Sequence, residues 1–166
     1  LEQRSEGTVD EYGLAPAQFV EKRFRKDAVT TTFKRDSKTI VFGEGDESYP
    51  LKGGEQDRNS AVWQLASVAR AAPGKFVPGS EWAFFVAGRH DAEPWTFKVV
   101  KQETVATGQG LVEAIHLVKA PPPDKKGQQV DLWLAPSLEW YPVKVTFADA
   151  DGGDYVEQTL QKIVKK

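Results

Sequence analysis

Two stretches near the carboxyl end of the chain, residues 130–134 (VDLWL) and 143–147 (VKVTF), alternate apolar and polar side chains with a period of two. Successive side chains of a β-strand point to opposite faces of its sheet, so this alternation is typical of half-buried strands. Residues 95–99 (WTFKV) repeat the pattern. These three stretches predict an antiparallel sheet that packs one face against a core.

Further strands are predicted on both sides of these stretches, because short segments rich in apolar and β-branched residues are separated by clusters of Gly and Pro. These segments are residues 19–25, 28–34, 39–42 and 111–118. Residues 82–87 (WAFFVA) are apolar at every position, which predicts a strand that is covered on both faces. Residues 155–164 fit either a final strand or a short helix.

One segment departs from the period of two. Residues 57–72 begin with capping residues, continue with apolar side chains at helical spacing, and are followed by Pro73 and Gly74. The sequence therefore predicts a mainly β protein: a curved antiparallel sheet or open β-barrel of about eight to nine strands, with one amphipathic helix across it. A flat two-layer sandwich is the alternative.

The composition limits the class of protein. The 166 residues contain 22 basic and 24 acidic side chains and no Cys, which fits a single β-rich domain spanning residues 1–166. The even charge argues against a nucleic-acid partner, and the lack of Cys excludes disulfides. The chain starts at Leu1 and contains no Met, so we expect a fragment of a longer precursor. We expect membrane association only through a missing export or anchoring segment.

No catalytic motif stands out in the sequence. His90 lies among charged residues at a predicted turn, and His116 lies in a predicted strand; a hydrolase would need one of them to meet a nucleophile and an acid. Residues 149–154 (DADGGD) depart from the calcium-loop pattern and are interpreted as a hairpin turn. We therefore predict a protein that is not an enzyme and has no catalytic residue, no metal ligand and no cofactor.

The aromatic residues are the more informative group. Most of them are expected to fill the core, but some can instead line an apolar cavity inside an incompletely filled barrel. The candidate cavity residues comprise four strand residues as walls and two helix residues as a lid, namely Trp82, Phe84, Trp95 and Phe97, with Val62 and Leu65. As an alternative, Trp133 and Trp140 are exposed for contact with a sugar or a protein.

Four blocks of the sequence resemble the bacterial DUF3108 family, a domain of unknown function. They are residues 57–65 (DRNSAVWQL), 85–95 (FVAGRHDAEPW), 130–136 (VDLWLAP) and 140–145 (WYPVKV). The resemblance runs over nearly the whole chain. It implies a protein of the Gram-negative cell envelope, located in the periplasm and often preceded by an export or anchoring segment.

The closing strands are also similar to those of lipoprotein-carrier domains of the LolA and LolB kind. That resemblance implies an open, curved barrel whose helices cover an apolar cavity for acyl chains, and it assigns no binding residue. We expect non-enzymatic binding of a hydrophobic small molecule, lipid or lipidated partner in the concave side of the sheet, under the helix. The alternative is a structural or protein-interaction module of the envelope that uses a sheet edge or an exposed aromatic patch near Trp133 and Trp140.

Overall fold

The computed structural model describes residues 1–121, 127–149 and 154–165. Within these ranges the chain forms twelve β-strands and one α-helix, α1 (Ser60–Ala71), with short 3-10 helices at Pro73–Lys75 and Pro136–Leu138. The strands are β1 (Glu2–Asp10), β2 (Gly13–Lys22), β3 (Val29–Lys34), β4 (Thr39–Phe42), β5 (Ser48–Pro50), β6 (Gln56–Asp57), β7 (Glu81–Ala87), β8 (Ala92–Thr107), β9 (Gly110–Lys119), β10 (Gln128–Ala135), β11 (Tyr141–Asp149) and β12 (Tyr155–Thr159). No helix in these ranges has the length and apolar character needed to cross a membrane.

The strands form two sheets. One has five strands in the order β1-β2-β3-β4-β5, and the other is a strongly curled sheet of seven strands in the order β12-β11-β10-β9-β8-β7-β6. Strands β1 to β5 and β8 to β12 pair in antiparallel fashion, whereas β6 and β7 pair in parallel. The predicted class, mainly β with a curved sheet and one helix, is confirmed for the described residues.

The structure has more strands than predicted, because three of them lack the expected pattern. Strand β1 (EQRSEGTVD) is exposed along most of its length and is polar on both faces, so no apolar alternation marks it. Strands β5 and β6 have only three and two residues. Near the carboxyl end, β12 is a strand and not a helix. Residues 150–153 of the predicted hairpin turn lie outside the described residues.

The chain divides into two compact units. The first comprises Leu1–Gln64 and Ala83–Trp95, and the second comprises Leu65–Trp82 and Thr96–Lys166. The core of the first unit includes Phe19 of β2, Phe33 of β3, and Ile40 and Phe42 of β4, and Phe19 and Ile40 are fully buried in it. In β7 the expectation of two covered faces holds only for Val86 and Ala87, because the preceding aromatic residues are half-buried.

In the second unit, β10 lies between β9 and β11 and is buried on both faces from Leu132 onward. Leu132 and Leu117 are buried on one face, while Trp133 and Ala114 belong to a cluster on the other. The alternation in residues 130–134 predicted an exposed face at Trp133. The indole is buried instead, because side chains of the two flanking strands lie against it.

The helix α1 begins at Ser60, directly after the capping residues that the sequence places from Asp57 onward. Asp57 Oδ1 accepts hydrogen bonds from the backbone N–H groups of Asn59 (2.8 Å) and Ser60 (2.7 Å), and Ser60 Oγ accepts one from the Asp57 N–H (2.9 Å). This reciprocal arrangement satisfies N–H groups that have no partner inside a helix. The apolar residues at helical spacing in α1 are buried, as the sequence predicts.

Candidate functional site

A groove of about 430 Å³ lies in the first unit, where the β1–β2 hairpin meets the start of α1. Its lining combines five residues of β1, three of β2 and three at the start of the helix: Ser5, Glu6, Gly7, Thr8, Val9, Leu14, Ala15, Pro16, Asn59, Ser60 and Trp63. Small-molecule sites in proteins have volumes of roughly 300–1,000 Å³. The groove is therefore large enough for one small ligand.

The wall of the groove is mainly apolar. Val9 is 72% exposed and Trp63 is 45% exposed. Of the β2 residues in the lining, Leu14 is half-buried, and Ala15 and Pro16 are buried. Exposed apolar side chains that line a concave surface offer area that a ligand can remove from water. The groove thus provides a hydrophobic binding surface that includes the exposed side chains of Val9 and Trp63.

A bulge in the β1–β2 pair shapes this wall. The register shifts between Glu6, which faces Gln18, and Gly7, which faces Pro16. A bulge bends its strand and is one of the few places in a sheet that accept proline, which has no N–H to donate. Gly7 lies so close to β2 that a Cβ atom there would collide with the Ala15 carbonyl oxygen. The local sequence therefore sets the curvature of the hairpin over the groove.

Two buried glutamines fix the turn of this hairpin. Gln64 Oε1 accepts a hydrogen bond from the Leu14 N–H (2.9 Å), and Gln64 Nε2 donates one to the Tyr12 carbonyl oxygen (3.1 Å). Gln56 Nε2 donates to the Leu14 carbonyl oxygen (2.8 Å). The turn residues are thus bonded to side chains from the helix and from β6. We infer that the groove is preformed.

One end of the groove is polar. Ser5 Oγ donates a hydrogen bond to Asp57 Oδ1 (2.7 Å), and Asn59 Nδ2 donates one to Ser5 Oγ (3.3 Å). Asp57 is fully buried, and this burial raises the pKa of its carboxyl group against the opposing effect of the hydrogen bonds that it accepts. Asp57 Oδ2 has no hydrogen-bond partner among the described residues.

The groove carries little charge. Among the described residues that line it, Glu6 is the one ionisable side chain, and it forms an ion pair with Arg4 in the same strand. Both side chains of this pair are exposed, so the pair adds little to stability. The remaining polar lining consists of the neutral side chains of Ser5, Thr8, Asn59 and Ser60.

The six predicted cavity residues do not line this groove. Trp95, Phe97, Val62 and Leu65 are buried, whereas Trp82 and Phe84 are half-buried. Three of them belong to the first unit (Val62, Phe84 and Trp95) and three to the second (Leu65, Trp82 and Phe97). The predicted helix does contribute to the groove, but through Trp63. The sequence did contain a signal for Trp63, since it is a tryptophan that lies next to Val62 but outside the apolar stripe of the predicted helix.

A second cluster lies on one face of β8, β9 and β10 in the second unit. The His116 ring stacks on Trp133 (centroids 4.4 Å apart), with Glu103 Oε1 3.4 Å from His116 Nδ1 and Asp131 Oδ1 3.7 Å from Nε2. Trp133 Nε1 donates to Glu103 Oε1, and this hydrogen bond is the main cause that lowers the pKa of Glu103. The side chains of His116 and Glu103 in this cluster are half-buried.

The aromatic rings expected at an exposed patch are largely covered. Trp133 is only 8% exposed, which corrects the expectation that it is available to a sugar or a protein. Trp140 is half-buried and packs against Phe76 (5.6 Å), whose other close partner is Trp82 (4.8 Å, stacked).

His90 lies in an exposed turn, with Nε2 3.9 Å from Asp91 Oδ2. Within the described ranges, no group of three or more His, Asp or Glu side chains is arranged to hold a metal ion. The groove in the first unit is our candidate site, since it combines space, apolar area and hydrogen-bonding groups.

Comparisons with known proteins give one result for this chain. The family model described as a protein of unknown function (DUF3108) matches residues 1–161. No curated protein and no solved structure matches the chain. Since the family match extends over nearly the whole sequence, the chain belongs to the DUF3108 family.

Proposed function

We propose that this protein binds a hydrophobic small molecule, a lipid or the lipidated part of a partner in the groove of the first unit, without enzymatic chemistry. The observation that carries the proposal is the apolar wall formed by the exposed Val9 and Trp63 and the half-buried Leu14, beside a neutral polar end. The proposal locates the binding surface on β1, β2 and the helix start, whereas the sequence analysis favoured six other residues.

Apolar contact alone is sufficient to drive such binding. Each CH₂ group removed from water contributes about 0.8 kcal/mol, so an alkyl chain gains several kcal/mol by lying against the wall. Association costs translational and rotational freedom, and a preformed site limits any further cost of ordering. The hydrogen bonds from Gln56 and Gln64 to the hairpin turn supply that preformed geometry.

The proposed location is the periplasm of a Gram-negative bacterium, with the protein acting in the cell envelope. The DUF3108 resemblance of the sequence supports this location. The similarity of the closing strands to carrier domains of the LolA and LolB kind supports an acyl-chain ligand. Both arguments come from sequence patterns, and the groove adds a physical reason for the ligand class.

A second candidate function rests on strand β1. Within the described residues β1 pairs only with β2, so its other edge presents backbone N–H and C=O groups for strand addition by an envelope partner. Arg4 and Glu6 place charges along this edge, which disfavours unspecific pairing. In this alternative the protein is an interaction module.

Native mass spectrometry of protein purified from a Gram-negative periplasm without refolding tests the first proposal. We expect a stoichiometric co-purifying lipid with the wild type, and its loss from Trp63→Ser. The matched control is Phe24→Ser, which removes another exposed aromatic side chain of the first unit outside the groove. A bare polypeptide mass for the wild type, or equal lipid retention by Trp63→Ser and Phe24→Ser, would contradict the proposal.

A further inference from the structure

We propose that the groove selects a single-chain amphiphile with an uncharged polar end, such as an alkyl chain ending in a hydroxyl or ester group, over an anion of the same chain length. This inference rests on the proposed function, because it names the chemical class of the ligand for the same groove. It is carried by the charge and the hydrogen bonding of the lining residues.

An anionic end finds no cation in the groove. The one charged residue among the described lining residues is the carboxylate Glu6, and no Lys or Arg lies in that lining. Arg4, the nearby cation of β1, is paired with Glu6. Moving an anionic head group out of water without a counter-charge makes the free energy of binding less favourable, because the head group is desolvated. A neighbouring carboxylate adds electrostatic repulsion.

The helix start does not provide an anion site either. A helix N-terminus attracts anions through its unpaired backbone N–H groups. Here the N–H groups of Asn59 and Ser60 both donate to Asp57 Oδ1. The protein's own carboxylate therefore occupies the place that a ligand anion would take.

Neutral hydrogen-bonding groups remain at that end. Ser5 and Asn59 line the groove and are bonded to each other through Asn59 Nδ2 and Ser5 Oγ. A carboxamide has two N–H donors and one acceptor oxygen, so the Asn59 side chain has capacity beyond this one bond. These groups match a ligand hydroxyl or ester, which both accept hydrogen bonds.

A cationic end is disfavoured for a different reason. Glu6 is the carboxylate in the lining that such a cation can reach, and it is exposed and already paired with Arg4. Attraction at an exposed site of this kind is weak, since water and salt screen it.

The size of the groove limits the number of alkyl chains in the ligand. Its volume of about 430 Å³ lies near the lower end of the range for small-molecule sites, which favours a ligand with one alkyl chain over a ligand with two.

Isothermal titration with three probes of equal chain length tests this inference: 1-monolauroylglycerol, laurate and dodecylammonium, each below its micellar concentration at pH 8. We expect the uncharged probe to bind about tenfold or more tightly than either ion. If laurate or dodecylammonium binds as tightly, the inference is overturned while the proposed function stands. If none of the three binds, the proposed function fails as well.

A charge-reversal pair sharpens the test. Glu6→Lys places a cation in the lining and is expected to raise laurate affinity about tenfold, because the carboxylate then finds a counter-charge. Glu2→Lys is the matched control: it makes the same change in net charge at an exposed position of the same strand, outside the lining. Equal gains in the two variants would show a general charge effect and overturn the inference.

Discussion

Ser5 Oγ lies 2.7 Å from Asp57 Oδ1 and donates a hydrogen bond across 52 residues of sequence. The bond joins the first strand to the residue that caps the helix. Asp57 thereby has two roles, since the same oxygen accepts the N–H groups of Asn59 and Ser60. The polar end of the groove and the start of α1 consequently depend on one carboxylate.

Removing this carboxylate is expected to destabilise the protein. Asp57→Ala deletes the cap and leaves the Ser5 hydroxyl and two backbone N–H groups without their acceptor, at a cost of at least about 1 to 2 kcal/mol in the free energy of unfolding. Asp57→Asn keeps an acceptor oxygen of similar position and is expected to cost less. Urea unfolding of both variants measures the difference, and equal losses would contradict the capping role.

The burial of Asp57 also predicts a pH dependence. Burial raises the folded-state pKa of this carboxyl group above its ordinary value of 3.8. The folded protein therefore binds the proton more tightly than the unfolded chain does. The resulting contribution to stability is fully present below pH 3.8 and is lost as the pH rises through the folded-state pKa.

The comparison of wild type with Asp57→Asn isolates this effect, because Asn does not titrate. We expect the stability of the variant, relative to wild type, to be lowest at acidic pH and to improve as the pH rises towards 7. Urea unfolding at a series of pH values measures it. A relative stability that stays constant or worsens with rising pH would be the opposite of the expected sign.

The bulge over the groove predicts a glycine requirement at position 7. Gly7→Ala places a Cβ against the Ala15 carbonyl oxygen, which is backbone and cannot move aside without disturbing the hairpin. We expect a loss of about 1 to 3 kcal/mol in the free energy of unfolding. Gly74→Ala is the control, because a Cβ at position 74 meets no atom within 4 Å. Similar stability of the two variants would argue against a tight bulge.

The cluster in the second unit gives a spectroscopic prediction. The hydrogen bond from Trp133 Nε1 is the main cause that lowers the pKa of Glu103. Trp133→Phe keeps an aromatic ring but removes the donor, so the pKa of Glu103 is expected to rise towards its usual range. An NMR titration of the Glu103 side chain measures this change.

The control for this titration is Trp95→Phe, whose indole donates to Glu93 at 3.1 Å. That substitution removes an indole of the first unit and is expected to leave the pKa of Glu103 where it is in the wild type. An equal response of Glu103 to both substitutions would point to a general loss of structure.

The sequence predicts those elements whose own residues carry the pattern. Strand β4 alternates in burial as its side chains indicate, and α1 begins three residues after its capping aspartate. In β11 the alternation holds for residues 143–145, whereas Thr146 is buried like its apolar neighbours. Strand β1 could not be found this way. Its side chains are polar on both faces, and it is a strand because its backbone pairs with β2.

The groove was missed for a related reason. Its polar end joins Ser5 to Asn59, which are 54 residues apart, and no local pattern connects them. The sequence analysis gave weight to aromatic residues in apolar strands, and two of these, Trp95 and Phe97, are buried in the structure. Trp63 could have been predicted from the sequence, because an aromatic side chain outside the apolar stripe of a helix is not expected to be part of the core.

The two bonds of Gln64 restrict which residue can stand at that position. Its carboxamide offers an acceptor to the Leu14 N–H and a donor to the Tyr12 carbonyl oxygen. A glutamate side chain has two acceptor oxygens and lacks the donor, and a leucine side chain has neither a donor nor an acceptor. An asparagine side chain has both groups but is one CH₂ group shorter. A saturation library at position 64 should consequently yield few well-folded members. The shape of the hairpin turn therefore depends on the side chain of Gln64, which lies 50 residues after Leu14 in the sequence.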